Sequence, residues 1–242
     1  FTGALTGDAN STANNNTFVG ADAGSANTTG QQNTFLGTAA GFVNTTGQNN
    51  TFLAKSAGEH STTGSNNVMI GTVAGFNSDT ASQVIAIGAN AGENNLRSGN
   101  VFIGSAAGQL NTTGRENTFI GLRAGDANSS ANDNTFVGSD AGGSNTTGAG
   151  NTFVGKGAGD ANTSASGNTF LGIDAGGGNT TGFGNTYLGK SAGLVAATSS
   201  QNTFVGHEAG KSNTTGLSNT FIGNSTALDN TLGLENTFMG FA

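Results

Sequence analysis

The chain has 242 residues, of which 43 are Gly and only 9% are charged; it contains no Pro and no Cys, and its formal net charge is −7. The lack of Pro and of a three-residue period excludes collagen, and a hydrophobic content of 33% with 16 Phe argues against a disordered chain. The acidic balance argues against a nucleic acid partner. Since no apolar run approaches the length of a membrane span, we expect no membrane contact in this segment.

A seventeen-residue repeat runs along the chain, with the consensus N-T-F-[VLI]-G-x-x-A-G-x-x-N-T-T-G-x-x. We number the slots of each unit from 1 to 17, and slot 1 falls in chain order at Asn16, Asn33, Asn50, Asn67, Val84, Asn100, Asn117, Asn134, Asn151, Asn168, Asn185, Asn202, Asn219 and Asn236. The spacing is seventeen except between Val84 and Asn100, where it is sixteen, and we expect a local irregularity there. A weaker doubling shows in G-D-A-N, which recurs at Gly7, Gly125 and Gly159. Such a period indicates a solenoid, so residues 1–242 are predicted to be a single repetitive segment, cut from a longer array at both ends.

Each unit predicts two short strands and a turn. The β-branched and aromatic run T-F-V in slots 2–4, closed by Gly, predicts one strand. The A-G pair and the two residues after it predict a second, smaller strand. N-T-T-G predicts a turn in which Asn and Gly take positive φ. Because seventeen residues are too few for a βα unit, we predict an all-β parallel β-roll (β-solenoid) of 17-residue coils, in which each strand pairs with the same strand one coil on.

The irregular units favour one orientation of the strand. Slot 2 holds Val68, Ile85 or Val101 instead of Thr, which predicts that the Thr/Val face lines the inside of the roll and that slot 3 faces outward. A continuous outward aromatic stripe needs a partner, and the simplest partner is another copy of the chain in a cyclic oligomer. The predicted interface is formed by the slot 3 residues Phe18, Phe35, Phe52, Phe102, Phe119, Phe136, Phe153, Phe170, Tyr187, Phe204, Phe221 and Phe238. The opposite orientation, with Phe inside, is the alternative.

The sequence predicts no catalytic, cofactor-binding or metal site. The two histidines, His60 and His207, occupy different slots many coils apart, and we predict both to be solvated corner residues. Acids on adjacent coils, such as Asp126 and Asp133, could form the carboxylate pair of a glycosidase, but ordinary surface acids are the better interpretation. Asn residues in the same slot of successive coils predict ladders of side-chain hydrogen bonds.

Two segments resemble a known family. Residues 84–88 (V-I-A-I-G), followed by Ala91-Gly92, resemble the repeat of trimeric autotransporter adhesin heads of the YadA-like type, and residues 100–104 (N-V-F-I-G) are a further close match. The N-T-F-L-G arrays are also similar to those of bacterial tail-fibre-like proteins. The resemblance implies a left-handed roll, three chains around one axis, and adhesion. The chain differs in slot 3, where such heads usually carry Ala or another small residue.

We therefore expect a non-enzymatic segment of an extracellular fibre on a bacterial cell surface, a homotrimer that attaches to a host-surface glycan or protein. The same sequence features fit the shaft of a phage or phage-like tail fibre. An ice-binding (antifreeze) β-solenoid is the alternative, because Thr occupies three slots of the unit, although flat T-x-T strands are absent. An enzyme built on a solenoid has no catalytic cluster to support it.

Overall fold

Each repeat unit forms one strand of three residues in slots 2–4, as a computed structural model describing residues 2–241 shows. By its internal contacts the chain divides into two units, Phe1–Asn117 and Thr118–Ala242. The residues described contain no helix, so none is long and apolar enough to cross a membrane.

Unit 1 carries six strands that pair in chain order, all parallel. Slot 2 lies opposite slot 2 and slot 3 opposite slot 3, as in the pairs Thr17↔Thr34 and Phe18↔Phe35. The strands are β1 (Thr17–Val19), β2 (Thr34–Leu36), β3 (Thr51–Leu53), β4 (Val68–Ile70), β5 (Ile85–Ile87) and β6 (Val101–Ile103).

Unit 2 repeats the arrangement with eight strands in the same parallel register, as in Thr135↔Thr152. They are β7 (Thr118–Ile120), β8 (Thr135–Val137), β9 (Thr152–Val154), β10 (Thr169–Leu171), β11 (Thr186–Leu188), β12 (Thr203–Val205), β13 (Thr220–Ile222) and β14 (Thr237–Met239). In both units the prediction of a parallel β-solenoid with seventeen-residue coils is confirmed.

The predicted second strand is wrong, because slots 8–11 form turns. Backbone N–H groups in these turns still donate to the next coil, from Gly24 to the Ala40 carbonyl at 3.0 Å and from Ala26 to the Phe42 carbonyl at 3.1 Å. Hydrogen bonds between coils therefore extend well beyond the three-residue strands and keep the turns in register.

The aromatic column lies inside the coils, so the predicted outward orientation is wrong. Phe18, Phe35, Phe52, Phe102, Phe119, Phe136, Phe153, Phe170, Tyr187, Phe204 and Phe221 have no exposed surface, and only Phe238, 44% exposed, differs. Slots 2 and 4 are the exposed or half-buried ones. The buried side chains are not available to a second chain, and the alternative with Phe inside is correct.

Small residues of the same coil make room for each ring. A Cβ added to Gly24 in slot 9 would lie 2.7 Å from Phe18 Cε2, and Ala23 in slot 8 is fully buried. Successive rings stack with centroids 4.8 Å apart, as in Phe136 on Phe153 with an interplanar angle of 5°. The A-G pair is therefore the inner wall on which the aromatic column packs.

The predicted irregularity at the sixteen-residue unit is confirmed. Asn95 Nδ2 donates to the Arg97 carbonyl, two residues on, whereas Asn27 in a regular unit reaches Gly30, three residues on. The shortening therefore falls in the turn after slot 12. Slot 3 of this coil is Ala86, which carries no ring. The Phe102 ring of the next coil fills the space that a side chain on Gly92 or on Gly108 would need.

Positive φ angles occur in slots 5, 7, 9 and 17, rather than at the Asn and Gly of N-T-T-G as predicted. Gly30, in slot 15, has a different constraint: a Cβ on its backbone would overlap the carbonyl oxygen of Gly47 in the next coil, although other coils carry Ala or Ser in this slot. Ala54, the single Ala in slot 5, has φ of 107°, whereas Gly37 has 138°.

Two Asn ladders line the interior, which confirms the predicted role of the Asn columns. In slot 12, Asn44 Nδ2 donates to Asn27 Oδ1 at 2.8 Å. In slot 1, the backbone N–H of Asn33 donates to Asn16 Oδ1 at 2.8 Å. Within a coil that has Asn in both slots, the amide groups of the two ladders converge on the slot 15 carbonyl, as Asn16 Nδ2 and Asn27 Nδ2 do on the Gly30 oxygen.

Candidate binding surface

The outer face of the strands is a regular surface in each unit, and we call slots 2 and 4 of the strands the T-x-V face. Slot 4 exposes aliphatic side chains, among them Leu36 at 47% and Leu171 at 45%. No seventeen-residue repeat carries a charged residue in slot 2 or slot 4. The face is therefore uncharged and half apolar, which is a composition typical of interaction surfaces.

The two units differ in how this face is composed. In β4, β5 and β6 both outward positions are aliphatic, formed by Val68 and Ile70, Ile85 and Ile87, and Val101 and Ile103. In β7–β14 slot 2 is Thr in every strand, beside an aliphatic or Met column in slot 4. Unit 1 therefore contains a wholly apolar patch, whereas unit 2 presents an unbroken Thr column.

A charged groove of about 610 Å³ lies on another surface of unit 2. Arg123 Nη2 contacts Asp140 Oδ1 at 2.6 Å in it. Burial raises the pKa of Asp126, against the opposing effect of its backbone hydrogen bonds and Arg123. Burial, followed by the Asp140 charge, raises the pKa of Asp160. The groove is lined by Arg123, Asp126, Ala127, Asp140, Gly143, Ser144, Lys156, Gly157, Asp160 and Asp174.

The G-D-A-N doubling explains how these acids are accommodated. Asp126 and Asp160 occupy slot 10 of alternate coils, and Gly143 occupies it between them. A Cβ on Gly143 would lie 2.8 Å from Asp160 Oδ1 and 3.6 Å from Asp126 Oδ1. The intervening glycine thus provides the space into which both carboxylates lean. Asp133, the partner considered for Asp126, does not line this groove, so the two are not brought together in it.

Both histidines are exposed, as predicted for corner residues. His60 Nδ1 is 2.9 Å from Asn77 Oδ1, and its ring lies 4.3 Å from that of Phe76. Asn77 Nδ2 in turn donates to Asn94 Oδ1. Across residues 2–241, no three His, Asp or Glu side chains are grouped so that they could hold a metal ion.

The T-x-V face was missed because the orientation of the strand was inverted. A signal for the correct orientation was present in the sequence: slots 8 and 9 are Ala and Gly in nearly every unit, which leaves room for a ring only inside the coil. Comparison of the chain with protein-family profiles, with curated proteins and with solved structures finds no match.

Proposed function

We propose that the chain is a non-enzymatic structural and adhesive segment of an extracellular bacterial surface fibre, assembled as a left-handed homotrimer. The observation that supports this best is the T-x-V face, an outward surface that carries no charged residue in slot 2 or slot 4 of any repeat unit. Handedness, trimeric state and adhesion rest on the resemblance to YadA-like adhesin heads. A tail fibre shaft would use the same face in the same way.

Self-association through the T-x-V face follows from its chemistry. A soluble protein rarely leaves a long apolar stripe in water, because burying such a surface against a second copy is favourable by roughly 25 cal/mol per Å². The patch formed by β4, β5 and β6 has the most to gain, since its slot 2 residues Val68, Ile85 and Val101 are aliphatic. Parallel copies packed on this face would keep their coils in register.

The test replaces Val68, Ile85 and Val101 by Thr, the residue that slot 2 carries elsewhere. Because Thr fits this slot in most coils, the variant should fold with an unchanged circular dichroism spectrum. Native mass spectrometry and light scattering should find a trimer for the parent chain and a shift toward monomer for the variant. A parent chain that stays monomeric at high micromolar concentration would contradict the assembly.

Adhesion is tested separately, with the immobilised chain on a glycan array and on a panel of host surface proteins. We expect selective binding that survives in shorter arrays of intact coils. An absence of binding by an intact trimer would leave a spacer function in the fibre and remove the adhesive one.

The Thr column of unit 2 favours ice binding as a second candidate. Thr118, Thr135 and Thr152 begin a column of eight Thr that continues to Thr237, exposed or half-buried, and ring spacing in this unit sets the coil repeat at 4.8 Å. A regular array of hydroxyl and methyl groups at this spacing is the kind of surface that orders water. Although T-x-T strands are absent, a T-x-V array is present.

Thermal hysteresis distinguishes this candidate. Thr152→Lys and Thr169→Lys, two outward substitutions in the middle of the column, should abolish hysteresis if the column binds ice. Asp133→Lys, at a corner outside the face, serves as the matched control. A parent chain that shows no hysteresis would exclude the ice-binding function.

A further inference from the structure

The slot 12 Asn ladder of unit 1 is interrupted in two successive coils. Asn27 and Asn44 belong to its first part and Asn95 and Asn111 to its second, with side-chain bonds of 2.8 Å in each. Between them slot 12 holds Ser61 and Ser78. A serine side chain ends at its hydroxyl and lacks the amide group with which Asn reaches both its neighbour in the ladder and the slot 15 carbonyl.

Polar atoms at this interruption are buried without partners in the chain. Ser61 and Ser78 have no exposed surface, and neither does Asn44. Ser61 Oγ, Ser78 Oγ and Asn44 Oδ1 make no hydrogen bond with any protein atom. Leaving a buried polar group unpaired costs roughly 1–3 kcal/mol. Three such atoms in adjacent coils would therefore destabilise the fold markedly unless another group bonds to them.

The slot 15 carbonyls beside these serines also lose a donor. In a regular coil the Gly30 oxygen accepts from both Asn16 Nδ2 and Asn27 Nδ2. The Gly64 oxygen keeps the bond from Asn50 Nδ2, and the Ala81 oxygen keeps the bond from Asn67 Nδ2. In a regular coil the second donor to this carbonyl is the slot 12 Asn, and Ser61 and Ser78 stand in its place.

We propose that two ordered water molecules are bound inside unit 1, each in the position that the slot 12 amide group occupies in regular coils. The first water donates to Asn44 Oδ1 and to the Gly64 carbonyl and accepts from the Ser61 hydroxyl. The second donates to the Ala81 carbonyl and to the Ser61 oxygen and accepts from the Ser78 hydroxyl. Each then has three partners, the usual number for a buried water, and the lining is polar rather than apolar.

The proposal is tested first by a high-resolution crystal structure of the chain, in which two ordered waters should lie beside Ser61 and Ser78. Asn162→Ser, in the continuous part of the unit 2 ladder between Asn145 and Asn179, is the matched control and should recruit one water at the new serine. If both hydroxyls bond directly to protein atoms and no density lies beside them, the proposal is wrong.

Thermal unfolding supplies an independent readout. Ser61→Ala and Ser78→Ala each remove a hydrogen-bond partner of a bound water and should lower Tm by about 2–4 °C. Ser61→Asn with Ser78→Asn rebuilds the ladder, releases the waters and should raise Tm. Alanine variants with a Tm equal to or above that of the parent chain would show that the hydroxyls are unbonded and overturn the proposal.

Discussion

Four slots of every coil require a left-handed backbone, and they differ in how strictly they select the residue. Slot 7 accepts Asp, Asn, Ser and Ala, and even Val73 with φ of 64°. Slot 5 is Gly in every unit except at Ala54, because a Cβ there meets backbone atoms of the next coil, as at Gly37, where the nearest contact is 2.5 Å.

Restoring glycine at position 54 should therefore stabilise the fold. A non-glycine residue with this backbone geometry costs on the order of 1 kcal/mol, so Ala54→Gly should raise Tm by about 2–4 °C. Ala57→Gly, at a buried slot 8 in the same coil, is the control and should lower it, since a packed methyl is lost. An unchanged Tm for Ala54→Gly would mean that slot 5 is not strained by alanine.

The raised pKa of Asp160 predicts how one surface residue links stability to pH. A carboxyl whose pKa is higher in the folded than in the unfolded protein stabilises the fold at low pH, and this contribution is lost as pH rises through the folded-state pKa. Asp160→Asn should therefore raise Tm at pH 7, and this gain should disappear below the ordinary value of 3.8. Asp140→Asn removes the negative charge that pairs with Arg123 and should give no such gain at pH 7. If Asp160→Asn changed Tm equally at pH 7 and below pH 3.8, the raised pKa of Asp160 would be wrong.

At the scale of the element, the coil containing β11 shows how several substitutions compensate one another. Ala196 replaces the slot 12 Asn, Ser199 replaces the slot 15 Gly, and Tyr187 replaces Phe. The Tyr187 hydroxyl lies 3.1 Å from Ser199 Oγ, and burial raises the pKa of this phenol. Two polar side chains thus bond to each other in a coil that lacks the slot 12 amide group.

This pairing predicts a double-mutant cycle. Tyr187→Phe leaves the buried Ser199 hydroxyl without its partner and should cost about 1 kcal/mol. Tyr187→Phe with Ser199→Gly returns both slots to the consensus and should recover most of that loss in denaturant unfolding. Independent, additive effects of the two substitutions would show that the hydroxyls do not depend on each other.

The strand itself was well predicted from sequence and its orientation was not. Thr-Phe-Val followed by Gly specifies an extended run, and its recurrence specifies parallel pairing of equal slots. Period-two alternation says only that Phe18 and Val19 point to opposite faces. The choice between faces depends on which one the rest of the coil can accommodate, and that information lies six residues away, at Gly24.

At the scale of each unit, hydrogen bonds join residues of one coil or of adjacent coils. The pairs in the Asn ladders are separated by three, fourteen or seventeen residues in regular coils. Interactions of this kind make stability a sum over coils and their nearest-neighbour contacts. The repeat period was therefore enough to predict the solenoid, whereas no sequence pattern in a single coil specifies a ligand.

Removal of one complete coil should accordingly preserve the fold. Deleting residues 134–150 joins Asp133 to Asn151, and every slot keeps its place, so circular dichroism should be unchanged in shape and Tm only slightly lower. Deleting Phe136 alone shifts the following slots by one and should destabilise the unit far more. Equal losses from the two deletions would argue against independent coils.

The stacking of like side chains, seen in the aromatic column at 4.8 Å and in the Asn ladders, has a consequence for how the folded protein appears in other experiments. Parallel, in-register strands with matched side chains are also the arrangement of an amyloid protofilament, in which each layer is a separate chain. Oriented samples of the native protein should give the meridional reflection near 4.8 Å that is used to diagnose amyloid. For this chain that reflection would be a signature of correct folding rather than of aggregation.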